Sequence, residues 1–166
     1  MTTAKNNPNS EAITGPSDTS DRDIIITRVF NAPRALVWTM FTEPKHLMKW
    51  WGPREFTTPA CEIDLRPGGV WFYVLRAPDG SEFPVHHTYQ EIVPLERIVY
   101  SQGHEDATSS SGTMHTMNFE DEEGKTRVTL HTRTPSPAVR EALVNQGFVQ
   151  GVSGGMDCLV EYLETL

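Results

Sequence analysis

Phe148-Val149-Gln150-Gly151-Val152-Ser153-Gly154-Gly155-Met156-Asp157-Cys158-Leu159-Val160-Glu161-Tyr162-Leu163 is the stretch whose reading decides the fold. Its apolar residues Val149, Val152, Met156, Leu159 and Leu163, followed by Leu166, alternate steps of three and four and so form one stripe of a helix. Ser136-Pro137 upstream supplies a capping side chain and a first-turn proline, which predicts a helix from there to the C-terminus. An apolar stripe of that length needs a sheet to cover. The preceding residues supply one. From 56 to 134, strand-like stretches are separated by Arg66-Pro67-Gly68-Gly69, Pro78-Asp79-Gly80, Val93-Pro94-Leu95-Glu96 and Glu122-Glu123-Gly124, with no long helical pattern between them. Such spacing predicts an antiparallel meander of about six strands. Its longest turn, 102–112, is Ser-rich and acidic and is expected to be an exposed loop.

Further toward the N-terminus, Ile24-Ile25-Ile26-Thr27-Arg28-Val29-Phe30 has the β-branched density of a strand. Pro33 and the helical spacing of Leu36, Val37, Met40 and Phe41 predict a helix after it. Glu43-Pro44 ends that helix, and Leu47, Trp50 and Trp51 suggest a second short one, which Gly52-Pro53 stops. Residues 1–22 contain no aromatic residue and too little apolar surface to offset their ordering entropy, so they are expected to be a disordered tail before one domain over 23–166. The pattern is α+β: a strand, two short helices, a meander bringing the total to six or seven strands, and a long terminal helix.

Composition narrows the function. Lys plus Arg number 14 against 22 Asp plus Glu, a net charge of -8, which lacks the basic footprint of a nucleic-acid binder. No apolar run reaches the roughly 18 residues of a membrane span. Cys61 and Cys158 are far apart, and no secretory leader is evident, so a cytoplasmic location is expected.

Trp50-Trp51-Gly52-Pro53, Asp64-Leu65-Arg66-Pro67-Gly68-Gly69-Val70-Trp71, Pro78-Asp79-Gly80, the run from Glu91 through Tyr100, and Leu159-Val160-Glu161-Tyr162-Leu163 occur in this order. Together they resemble the activator of heat-shock-protein ATPase homologue family of the START-like (SRPBCC) superfamily, over residues 23–166. The resemblance implies a helix-grip fold, in which a curved antiparallel sheet wraps the C-terminal helix and encloses a cavity. It also implies that relatives bind apolar molecules there and that some catalyse cyclisation or hydrolysis. Several relatives carry a Trp early in the terminal helix where this chain has Val152.

Gly151-Val152-Ser153-Gly154-Gly155 matches G-x-S-x-G, yet a nucleophile elbow needs a strand before the Ser and a His after it. Here the pattern is helical and no His follows. The glycines matter differently. Gly147, Gly151 and Gly155 form a bare stripe with Gly154 beside it, at a helix cost of roughly 3 to 4 kcal/mol for the four. Missing side chains leave room for a ligand, or else permit close backbone packing or a bend. The six histidines show no metal-ligand spacing, so neither a metal nor a cofactor is expected. Strand alternation puts Phe83, Val85, His87 and Tyr89 on one face, and pairs His115 with Met117.

The candidate ligand contacts are therefore the aromatics Trp51, Trp71, Tyr73, Tyr89, Tyr100 and Phe148; His87, His115 and Met117 on strand faces; and Gly151 and Gly155 on the helix. No residue is assigned as catalytic. Binding of a small hydrophobic or aromatic molecule is the leading expectation, with His87, Tyr89 and Tyr100 as polar partners. Two alternatives stand beside it: a polyketide cyclase- or hydrolase-like enzyme using His87 or His115 as general base, and a chaperone-interacting protein. Paired sheets or helices would also allow a homodimer.

Overall fold

The computed structural model describes residues 11–13, 21–102 and 112–166. Residues 103–111 of the expected loop, and residues 1–10 and 14–20 of the expected tail, lie outside them. Strands β1 (Glu11–Ile13), β2 (Asp23–Phe30), β3 (Thr57–Ile63), β4 (Val70–Arg76), β5 (Glu82–Val93), β6 (Arg97–Gln102), β7 (Met114–Glu122) and β8 (Lys125–Arg133) form one antiparallel sheet. Its order is β1-β2-β8-β7-β6-β5-β4-β3, so only β2 leaves sequence order, to pair with β8. Seven strands make the curved sheet and the three-residue β1 lies along the outer edge of β2. The alternation of buried and half-exposed residues in β8, with Thr126, Val128, Leu130 and Thr132 buried, is that of a sheet covered on one face. Pro59, which cannot donate to a ladder, falls within the irregular register of edge strand β3.

Helices α1 (Arg34–Thr42) and α2 (Pro44–Leu47) follow β2, as the sequence predicts. Val37, Met40 and Phe41 turn inward, and the Trp50 indole N–H donates to the Met40 carbonyl at 3.1 Å, tying the segment after α2 to α1. Phe41 and Trp50 meet edge to face at 4.8 Å, and Trp51 continues the contact to Trp71 at 4.9 Å.

The C-terminal segment corrects the expectation of one uninterrupted helix. Ser136 caps α3 (Pro137–Asn145) by accepting from the Val139 N–H at 3.2 Å. The chain then turns at Gly147, whose φ of 89° is left-handed, before α4 (Phe148–Leu163). A glycine there ends one helix and starts the next, because the left-handed conformation carries no Cβ penalty. The apolar stripe of α4 is buried through Val149, Met156 and Leu159, and it fades toward Leu166, which is exposed.

Candidate functional site

Between the concave face of the sheet and the two C-terminal helices lies a cavity of about 290 Å³. Tyr73, Met117 and Leu130 rise into it from β4, β7 and β8. Phe41 and the segment Trp50-Trp51-Gly52-Pro53 form one side, and Leu143, Gln146, Phe148, Gly151, Val152 and Met156 form the helical wall. The space exceeds the roughly 150 Å³ of apolar cavity that admits benzene, leaving room for a two-ring molecule. No charged side chain is among the described residues lining it.

Six of the residues singled out in the sequence meet at this cavity: Trp51, Tyr73, Met117, Phe148, Gly151 and Gly155. The other five, Trp71, His87, Tyr89, Tyr100 and His115, do not line it but pack behind it. Ring centroids step from Trp71 to His87 at 4.9 Å, to Tyr100 at 4.9 Å, to His115 at 4.8 Å and back to the cavity wall at Phe148 at 6.0 Å. Strand alternation places a residue on a face but not at a depth, and here two layers share the face. The rest of the lining, Trp50, Gly52, Leu143 and Gln146 among it, was not singled out as ligand contacts from the sequence. Their signals were present in the Trp-Trp-Gly-Pro motif and in Gly147, whose turn sets α3 as a separate wall.

The glycines divide the same way. A Cβ on Gly155 would stand 2.9 Å from the Gly52 carbonyl oxygen, so this glycine serves a close approach of helix to loop. A Cβ on Gly151 would meet only Pro53 Cγ at 3.6 Å, an ordinary contact at the cavity edge.

The buried polar groups form a short directed chain. His87 Nδ1 lies 3.3 Å from the Ser101 carbonyl oxygen, which can only accept, so Nδ1 carries the proton. Nε2 then accepts from the Tyr73 hydroxyl at 3.1 Å. Burial pushes His87 down to about 4 and His115 to about 3, the latter also through the neighbouring His87, while burial raises the Tyr73 hydroxyl. His115 Nδ1 is 2.8 Å from Thr132 Oγ1. All three rings are therefore neutral near pH 7. Ser153 of the G-x-S-x-G match sits within α4, its carbonyl accepting from Arg28 Nη2 at 3.4 Å. Among the described residues no group of three or more His, Cys, Asp or Glu side chains is placed to hold a metal ion, and no helix is long and apolar enough to cross a membrane.

Residues 31–164 match the family described as Activator of Hsp90 ATPase homolog 1-like protein. Similar solved structures include a protein of Nitrosomonas europaea, 26% identical over 87% of this chain and 96% of that one, with a TM-score of 0.81. A Mycobacterium smegmatis protein, 23% identical over 95% and 99% of the two chains, also gives 0.81, and the AHSA1 protein of Silicibacter pomeroyi, 20% identical over 86% and 98%, gives 0.67. None of the curated proteins matches. The helix-grip arrangement of sheet and terminal helices agrees with these neighbours, and with most of its length inside the family match, this chain belongs to the Activator of Hsp90 ATPase homolog 1-like family.

Proposed function

We propose that this chain binds a small, mainly apolar or aromatic molecule in the cavity between the sheet and the C-terminal helices. The observation that carries this reading is the cavity wall, about 290 Å³ of space bounded by aromatic and aliphatic side chains, with Tyr73 and Gln146 as its polar side chains. An apolar guest there gains by leaving water and loses no paired charge. The buried histidine relay favours holding over turnover. The enzyme alternative needs a histidine within reach of a tyrosine or carboxylate, and Tyr73 satisfies His87 in distance. Burial nevertheless makes His87 a weak base and Tyr73 a weak acid, both mismatched to proton transfer near pH 7.

The test is a fluorescence titration with N-phenyl-1-naphthylamine, a neutral apolar dye, against the wild type and Gly151→Leu. The added side chain enters the cavity edge, so saturable dye binding is expected in the wild type and about tenfold weaker binding in the variant. Absence of saturable binding, or equal affinity in a folded variant, refutes the proposal. Native mass spectrometry of protein purified from its own cells distinguishes a co-purifying small molecule from a bound chaperone, and reads the oligomeric state directly.

A further inference from the structure

We propose that the cavity discriminates by aromaticity, taking a molecule with a flat aromatic ring in preference to a saturated molecule of the same skeleton and polar group. This rests on the cavity being the binding site and names the class of guest it holds. Phe41, Trp50, Trp51, Tyr73 and Phe148 all contribute to the wall, and they arrive there from α1, the segment after α2, β4 and α4. A wall that had only to be apolar could be built from aliphatic side chains, as Leu130, Leu143 and Val152 are in the same cavity.

Four of these rings form an unbroken series. Phe41 meets Trp50 with centroids 4.8 Å apart and planes at 68°, Trp50 meets Trp51 at 5.3 Å and 74°, and Trp51 meets Tyr73 at 5.8 Å and 75°. Each step is edge to face, so successive rings turn by nearly a right angle and the series carries both electron-rich faces and electron-poor edges. A flat aromatic guest beside it can continue the same geometry, giving an edge to one ring and a face to the next. A saturated ring has no quadrupole to match and gains only burial and dispersion. Met117 on β7 and Met156 on α4 bring thioether side chains to the same cavity, and a thioether sulfur also gains from an aromatic neighbour. With no charged side chain among the described lining residues, these contacts decide between guests of equal size.

Displacement of N-phenyl-1-naphthylamine by 2-tetralone and by 2-decalone tests this. The two ketones share a fused two-ring skeleton and an isolated carbonyl group, and differ in that one ring is aromatic in the first and saturated in the second. Burial alone favours the decalone, the more apolar compound. The wild type should nevertheless bind 2-tetralone about tenfold more tightly, the worth of one to two ring contacts. Trp51→Leu and Phe148→Leu each replace a lining ring by an apolar chain, and each should lower that ratio about threefold. Equal or tighter binding of the decalone to the wild type overturns the proposal, as does a ratio that is unchanged in both variants. The wild-type comparison stands alone, so the proposal stays exposed even if neither variant folds. If the dye binds and neither ketone displaces it, the aromatic preference fails; if the dye itself does not bind, the cavity reading fails with it.

Discussion

Gly151→Ala and Gly155→Ala add the same methyl group to the same helix, one turn apart, and should change stability in opposite directions. Replacing Gly by Ala in a helix interior favours folding by about 0.8 to 1 kcal/mol. At Gly151 the new Cβ finds Pro53 Cγ at 3.6 Å, which costs nothing, so the full gain should appear. At Gly155 the new Cβ stands 2.9 Å from the Gly52 carbonyl oxygen, and that oxygen belongs to backbone rather than to a side chain able to swing away. Either α4 or the Trp51–Pro53 segment must move, and forced overpacking costs about 1 to 3 kcal/mol. Subtracting the helix gain leaves Gly155→Ala destabilised by up to about 2 kcal/mol, and separates the two variants by about 2 kcal/mol at mid-range. For a chain of this size that is about 4 to 8 °C in melting temperature, read by far-UV circular dichroism. A Gly155→Ala protein that melts with or above Gly151→Ala would refute the close-approach argument and return Gly155 to the role of a simple gap.

Acid should destabilise the fold well before its carboxylates titrate. His87 and His115 have folded values near 4 and 3 against 6.5 unfolded, so the unfolded chain binds more protons below pH 6.5 and stability is lost as pH falls. Urea unfolding should show a loss of about 4 kcal/mol between pH 7 and 5, and a flat profile there would contradict burial of the two rings. Asp157→Asn should cost about 1 to 2 kcal/mol, because it removes the carboxylate 2.8 Å from the buried Arg28 guanidinium while Asp157 itself is half exposed to solvent; a thermal melt unchanged in low salt would count against the pair. Ser136→Ala should lower stability by about 1 kcal/mol by uncapping α3, and identical denaturation midpoints would refute it.

Much of the architecture could be read in the chain because it depends on local rules. The isoleucine run of β2, the turn signals from Arg66 to Gly124 and the stripe of α4 each declare a periodicity that no later packing overrides. The interruption at Gly147 escaped that reading because a single glycine is tolerated inside a helical pattern, and residues 137–145 and 148–163 carry compatible periods on either side of it. The candidate site was less legible for a different reason. His87, Tyr100 and His115 share their face with Tyr73 and Met117, but only curvature of the sheet decides which ring reaches the cavity and which packs behind. The hydrogen-bond direction at Tyr73 is further still from the sequence, since it depends on the Ser101 carbonyl on the neighbouring strand.

The glycines of α4 show how one composition can serve two opposed needs. A cavity beneath a helix is costly unless something holds the helix at a fixed height, because side chains around a void would otherwise collapse into it. Gly155 supplies the fixed point by letting α4 rest against the Gly52 backbone, and the Trp50–Pro53 segment is in turn pinned by the Trp50 bond to Met40. One turn earlier, Gly151 and Val152 withhold bulk where α4 passes over Tyr73 and Met117, and Gly147 turns α3 aside to form a wall. The volume then comes from a clamp at one end of the stripe and an omission at the other. Filling the omission at Gly151 should cost ligand affinity without loosening the helix, whereas filling the clamp at Gly155 should loosen the helix first and disturb the cavity only as a consequence.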